Sequence, residues 1–291
     1  MNDFDTFRHE AKAALRVALQ WFFLAVPMGL LCGFLGTLFH LAVEHATELR
    51  AAQPWLLFLL PVAGLLITAL YKVTKCEGVG TNNVLRAVQS GEPVSILLVP
   101  AIFLGTVLTH LCGGSAGREG AALQLGGAIS GNIGHLMHLD DKDSPHDHPL
   151  CGMAACFSAL FGTPLAASVF AMEVISVGVM YYAALVPCVI SSLIASEFAA
   201  GFGINPESFH VVNIPELSVI TGGKMVIIAV ACAAVSIIFC MVLQGVSRLY
   251  TRYLPNPYVR IVAASAVIIV ITLLLHTTDY MGAGNTLLNS R

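Results

Sequence analysis

Residues 113–120 read Gly-Gly-Ser-Ala-Gly-Arg-Glu-Gly and lead into the apolar run 121–129. Two ionisable side chains, Arg118 and Glu119, thus sit among glycines where one strongly apolar segment ends and another begins. Charge inside a membrane is costly and tends to be kept for a task. Glycines let the backbone leave helical geometry and turn N–H groups toward a ligand. A helix starting near Arg118 aims its positive end at the same point. The chemistry implied is an anion site within a membrane protein. Glu119 is a carboxylate placed where it can compete with the anion. An ion pair between Arg118 and Glu119 is the weaker reading, because adjacent helical residues do not face each other. For Arg118, setting the local potential or holding backbone stands beside direct anion contact.

The elements that must position these groups are apolar helices. The chain has 291 residues, of which 57% are hydrophobic and only 11% charged. Soluble domains carry about 25% charge, and the mean hydropathy here is +0.81. A spanning helix needs roughly 20 apolar residues. The pattern predicts spans over 17–43, 54–71, 94–112, 150–172, 174–196, 225–247 and 257–276. Segment 120–139 is also apolar, with glycines at 126, 127, 131 and 134. Residues 3–12 read as a short amphipathic helix on the membrane surface, not as a cleaved signal.

Basic residues cluster before the first span (Arg8, Lys12, Arg16), after the second (Lys72, Lys75) and between the last two (Arg248, Arg252, Arg260). Positive loops stay inside, so a cytoplasmic N-terminus and an external 203–220 are expected, in an inner (plasma) membrane. The net charge of −3 gives no reason to expect a nucleic-acid partner. Among the eight cysteines there is no Cys-x-x-Cys pair, so neither a disulfide framework nor a zinc site is expected. They read as small buried hydrophobes. The polar stretch 140–149 holds Asp140, Asp141, Asp143, His146, Asp147 and His148; a solvated loop is favoured there over a metal site. His110, His135 and His138 read as interfacial. No nucleophile–base pair, cofactor loop or metal set supports an enzyme, and no cofactor is expected.

Three motifs carry a resemblance. Gly117-Arg118-Glu119-Gly120 resembles the Gly-Lys/Arg-Glu-Gly motif of the CLC chloride channels and proton-coupled antiporters. Gly78-Val79-Gly80-Thr81-Asn82-Asn83 stands where that family has its first anion-binding loop, usually Gly-Ser-Gly-Ile-Pro. Residues 151–173 resemble its helix pair with the Phe-x-Ala-Pro-Leu-x-Gly bend. The resemblance implies an all-α polytopic membrane protein of the CLC type, an inverted-repeat bundle with broken helices. Residues 1–201 correspond to the first repeat with its N-terminal amphipathic helix. Residues 202–291 correspond to an external loop and the start of an incomplete second repeat. The family's Gly-x-Phe-x-Pro loop and late tyrosine have no match, so the chain looks cut short in its second half. Residues 281–286 echo 78–82, as a repeat counterpart would.

The resemblance places anion binding at Gly78, Val79, Gly80, Asn82, Asn83, Gly117, Arg118 and Gly120, and gating with proton transfer at Glu119. Glu173 takes a structural place near the site, holding free backbone N–H groups at the next helix start. Val79 replaces the serine that donates to chloride in relatives, and Asn82 and Asn83 can supply amide N–H groups instead. This resembles the fluoride-exporting branch. Val174 stands where chloride/proton antiporters carry a second glutamate, which argues against ordinary chloride/proton exchange. The expected function is proton-coupled fluoride export by a homodimer in a lipid bilayer, with halide and proton as the transported partners. A chloride channel or chloride/proton antiporter is the alternative. A truncated, transport-inactive membrane protein is the alternative of another class.

Overall fold

A computed structural model describes residues 3–136, 147–176, 178, 180–206, 216, 218–278 and 280–284, with only the backbone given for 3–20 and 147. Among them are ten α-helices: α1 (Asp3–Ala52), α2 (Leu60–Val73), α3 (Thr81–Ser90), α4 (Leu98–Leu111), α5 (Glu119–Leu136), α6 (Asp147–Phe161), α7 (Pro164–Ile175), α8 (Tyr182–Gly201), α9 (Val219–Tyr253) and α10 (Pro257–Leu275). A 3-10 turn, Pro54–Leu59, leads into α2. Five helical segments are long and apolar enough to cross a membrane: Trp21–Ala52, Pro54–Val73, Tyr182–Gly201, Val219–Tyr253 and Pro257–Leu275. The protein is an all-α multi-pass membrane protein.

Three boundaries differ from the sequence expectation. Residues 3–12 are not a separate helix but the first turns of α1. Residues 11–20 hold Ala, Leu, Arg, Lys and Gln with one valine and no Gly or Pro, so nothing stops helix propagation. The expected span 150–172 is two helices, α6 and α7. Gly162, at φ +66, takes a conformation costly to other residues, and Pro164 then opens α7 at the position where its missing N–H is harmless. The expected span 174–196 shifts to Tyr182–Gly201, because Ser176 is extended after α7.

The core is built by α1, α5, α6 and α8 around Met28, Phe39, Leu125, Leu150, Met153 and Leu160, all fully buried. Small residues allow the closest approaches. A Cβ on Gly126 would overlap the carbonyl oxygen of Gly152, and a Cβ on Gly33 would lie 2.9 Å from the Cα of Ala195. In lipid, where burial of apolar surface drives helix association weakly, such contacts are a main source of packing energy. Serines satisfy one another at the same seams: Ser168 Oγ lies 2.7 Å from Ser192 Oγ, and Ser158 Oγ donates to the Ser192 carbonyl at 2.8 Å.

α10 packs on α2, where a Cβ on Gly64 would meet the Ile261 side chain. Asn256 caps α10 by accepting from the Tyr258 N–H at 3.0 Å. Ser218 does the same for α9, accepting from Thr221 N–H at 3.1 Å. α9 contains no buried residue. Its Cys232 and Cys240 are exposed, whereas the other six cysteines are buried thiols. The expectation of buried cysteines thus fails for these two, because no described residue buries any part of the helix carrying them.

Candidate anion site

Two helix starts come into contact. α3 begins at Thr81 and α5 begins at Glu119. A Cβ on Gly120 would come within 2.7 Å of the Thr81 hydroxyl, so the Gly-Arg-Glu-Gly turn and the start of α3 are in contact only because residue 120 has no side chain. Gln124, one helical turn beyond Gly120, donates from Nε2 to Thr81 Oγ1 at 2.8 Å and ties the two helices together. Its Oε1 is buried without a partner among the described residues. The first three N–H groups of α5 have no acceptor within the helix, since its first backbone bond runs from Ala122 N to Arg118 O at 3.0 Å. Both helix dipoles favour negative charge at these ends.

Glu119 is exposed and curls back over its own turn: a Cβ on Gly117 would collide with its Oε2. The salt bridges among the described residues are His40–Glu44 at 3.7 Å and His45–Glu48 at 3.9 Å. Arg118 and Glu119 form no salt bridge with each other. Arg118 instead turns inward, 7% exposed, with its guanidinium carbon 5.7 Å from the centre of the Phe161 ring in a cation–π arrangement.

The structure brings only part of the expected set together. Gly80, Gly117, Arg118, Glu119 and Gly120 belong to the meeting point or its two connecting turns. Gly78, at φ +73, is exposed with open space about it, and Val79 packs against the core. Asn82 and Asn83 are exposed. The Asn83 carboxamide oxygen accepts from the Gly80 N–H at 3.3 Å, so this side chain caps α3. It lines a surface depression with Arg86, Gln89 and Glu92. Glu173 is exposed, and its Oε1 accepts from the Gly178 N–H at 3.4 Å, in the linker before α8. The possible metal loop, 140–149, lies mostly outside the described residues; within them no cluster of metal-ligating residues occurs.

Thr81 and Gln124 were missed by sequence reasoning. A signal existed for Gln124, the one polar side chain in the apolar run 121–129, where a buried amide must find a partner.

On the other side of Arg118 lies a chamber of about 550 Å³. Its lining includes His40, Glu44, Glu48 and Arg50 near the end of α1, His110 at the end of α4, residues 202–205 after α8, and Met281, Ala283 and Gly284. The turn at 281–284 is fixed by a parallel bridge between Ser115 and Gly282. Gly282 N donates to Gly114 O, and Ala116 N to Gly282 O, both at 3.2 Å. Gly282 sits at φ +65. His110 is not interfacial as expected: it is 1% exposed, covered where this turn closes on residues 113–116.

A multi-pass helical bundle with two helix starts in contact beside a carboxylate that has no ion pair among the described residues defines the class. Its family follows from the match to the family described as Voltage gated chloride channel over residues 63–290. The chain belongs to this CLC family. The Chloride/fluoride channel protein of Pseudomonas syringae pv. tomato is 36% identical over 199 residues, which are 68% of this chain and 44% of that protein. The H(+)/Cl(-) exchange transporter ClcA of Vibrio cholerae serotype O1 is 25% identical over 287 residues, 91% of this chain and 61% of that protein. The chain therefore spans about half to three fifths of these relatives. The crystal structure of a CLC-type fluoride/proton antiporter superposes with a TM-score of 0.88 and 30% identity, covering 94% of this chain and 69% of that one. A slow cyanobacterial Cl−/H+ antiporter shares the fold, with a TM-score of 0.67 and 19% identity over 85% of this chain and 62% of that one.

Proposed function

We propose that the protein exports fluoride across the inner membrane in exchange for protons, as a homodimer with its N-terminus in the cytoplasm. The observation that carries this reading is the meeting of the α3 and α5 starts beside Glu119, which has no ion-pair partner among the described residues. Fluoride is small and strongly hydrated, so a site for it must offer dense donors. Free first-turn N–H groups on both helices and the Thr81 hydroxyl, which accepts from Gln124 and so keeps its proton to donate, supply them. Asn83 serves this site through the backbone it caps, and Asn82 through its own N–H. Glu119 occupies the anion position when charged and leaves it on taking a proton. Support also comes from the similarity to a chloride/fluoride channel protein and to a CLC-type fluoride/proton antiporter. The order of α9, α10 and the glycine turn at 281–284 echoes α1, α2 and the turn at 76–80, in keeping with a repeat boundary after residue 201.

The test is reconstitution in liposomes with simultaneous fluoride, chloride and pH electrodes. Fluoride efflux is expected to exceed chloride efflux, and Glu119→Gln is expected to abolish proton movement and slow both anions severely. Equal or faster chloride efflux favours chloride transport, the reading supported by the similarity to the Vibrio exchanger. Unchanged proton movement in Glu119→Gln removes that residue from the mechanism. No flux of either ion favours an inactive membrane protein, the reading for which the uncovered α9 speaks.

A further inference from the structure

The chamber beside Arg118 has a floor with unsatisfied polar atoms. His110 Nδ1 lies 2.9 Å from the Thr106 carbonyl oxygen. That oxygen only accepts, so Nδ1 carries the hydrogen and Nε2 of the neutral ring presents a lone pair. Nε2 is buried with no partner among the described residues, and so is Nε of Arg50. The two side chains converge on one point: a Cβ at Gly282 would lie 3.5 Å from Arg50 Nη2 and 3.8 Å from His110 Cδ2, the carbon bonded to Nε2. The missing side chain at 282 leaves that point open.

The charges around it are sorted by depth. His110 and Arg118 are buried at 1% and 7% exposure. Glu44 and Glu48, the carboxylates of the lining, are exposed and lie beside His40 and His45. The lining residues of 202–205 and 281–284 are not titratable. A buried ring nitrogen, near the Ala116 carbonyl, beside the guanidinium of half-buried Arg50 suits one proton and one anion together: the imidazolium and the guanidinium then both donate to the anion.

We propose that this floor, between Arg50 and His110, binds one small monovalent inorganic anion, and that a proton taken up on His110 Nε2 accompanies it. The proposal rests on the transport reading only for the choice of halide as the ion; the chamber is lined by Arg118 but not by Glu119.

The experiment is calorimetric titration of the purified full chain with sodium fluoride and sodium chloride at pH 5.5 and pH 8.0. Running it in buffers of different ionisation heat counts protons. The expected result is anion binding with uptake of about one proton, weakening about tenfold per pH unit once the imidazole is neutral, by the reciprocity of linked binding. This component is expected to persist in Glu119→Gln, to lose its proton uptake in His110→Gln, and to weaken about tenfold or more in Arg50→Gln, as loss of a charged donor implies. Proton-linked binding that survives His110→Gln but vanishes in Glu119→Gln belongs to the gate and overturns the proposal. Absence of halide binding at both pH values overturns it also. If His110→Gln does not fold, Arg50→Gln decides, and unchanged affinity there overturns it. A chain that binds in this way yet moves no halide through liposomes refutes the transport reading and leaves this site standing.

Discussion

The Thr81–Gln124 hydrogen bond ties together the two helix starts of the proposed anion site. Replacing Gln124 with Leu keeps much of the volume but leaves the Thr81 hydroxyl free to turn away from the anion. We expect anion flux to fall severalfold, with stability lowered by about 1 kcal/mol, the net worth of an ordinary hydrogen bond. Gly120→Ala presses a methyl group onto the same hydroxyl, 2.7 Å away. Overpacking costs typically about 1–3 kcal/mol, and flux should fall further than in Gln124→Leu because the helix starts are pushed apart. Paired rate and melting measurements on both variants check this; a Gly120→Ala protein with normal flux removes the contact from the site.

At the scale of elements, the α5–α6 seam is the tightest in the bundle. A Cβ on Gly126 has no room against the Gly152 carbonyl, and Ser130 Oγ, which donates to Gly126 O at 2.6 Å, packs against the same glycine. Gly126→Ala is expected to destabilise by about 3 kcal/mol, the upper part of the overpacking range. The loss should appear as a lower melting temperature and lower yield of folded protein in detergent. Much of this layer was legible in the sequence. Apolar length marked α9 and α10, and the Gly-Arg-Glu-Gly turn marked the start of α5. What was not legible depended on partners distant in the chain. Gln124 reaches Thr81 across 43 positions, and His110 is buried by a turn near residue 282. Asn83 looked like an anion donor because its residue type permits it. Its place three residues into a helix that starts after Gly80 makes it a cap instead.

For the whole molecule, α9 sets the relation to the bilayer. Its 35 residues extend about 52 Å at 1.5 Å per residue, against a hydrocarbon core of about 30 Å. With no buried residue to hold it, its tilt is set by lipid and by the connections at its two ends. Lengthening the acyl chains of the host membrane should therefore change its tilt more than that of α1, which buries residues from Leu24 to Ala46. Oriented-sample spectroscopy with labels on Cys232 and Cys240 measures this; equal responses of α9 and α1 show that a protein neighbour holds α9.

The clasp between Ser115 and Gly282 also has a meaning in time. A ribosome delivers the Gly-Arg-Glu-Gly turn long before it delivers residue 282, so residues 113–116 wait for their clasp while α6 to α10 are made. Until α10 has been inserted beside α2, residues 113–116 lack the strand partner that holds them. The clasp thus joins segments made far apart in time, and it closes only after the helices between them have been placed.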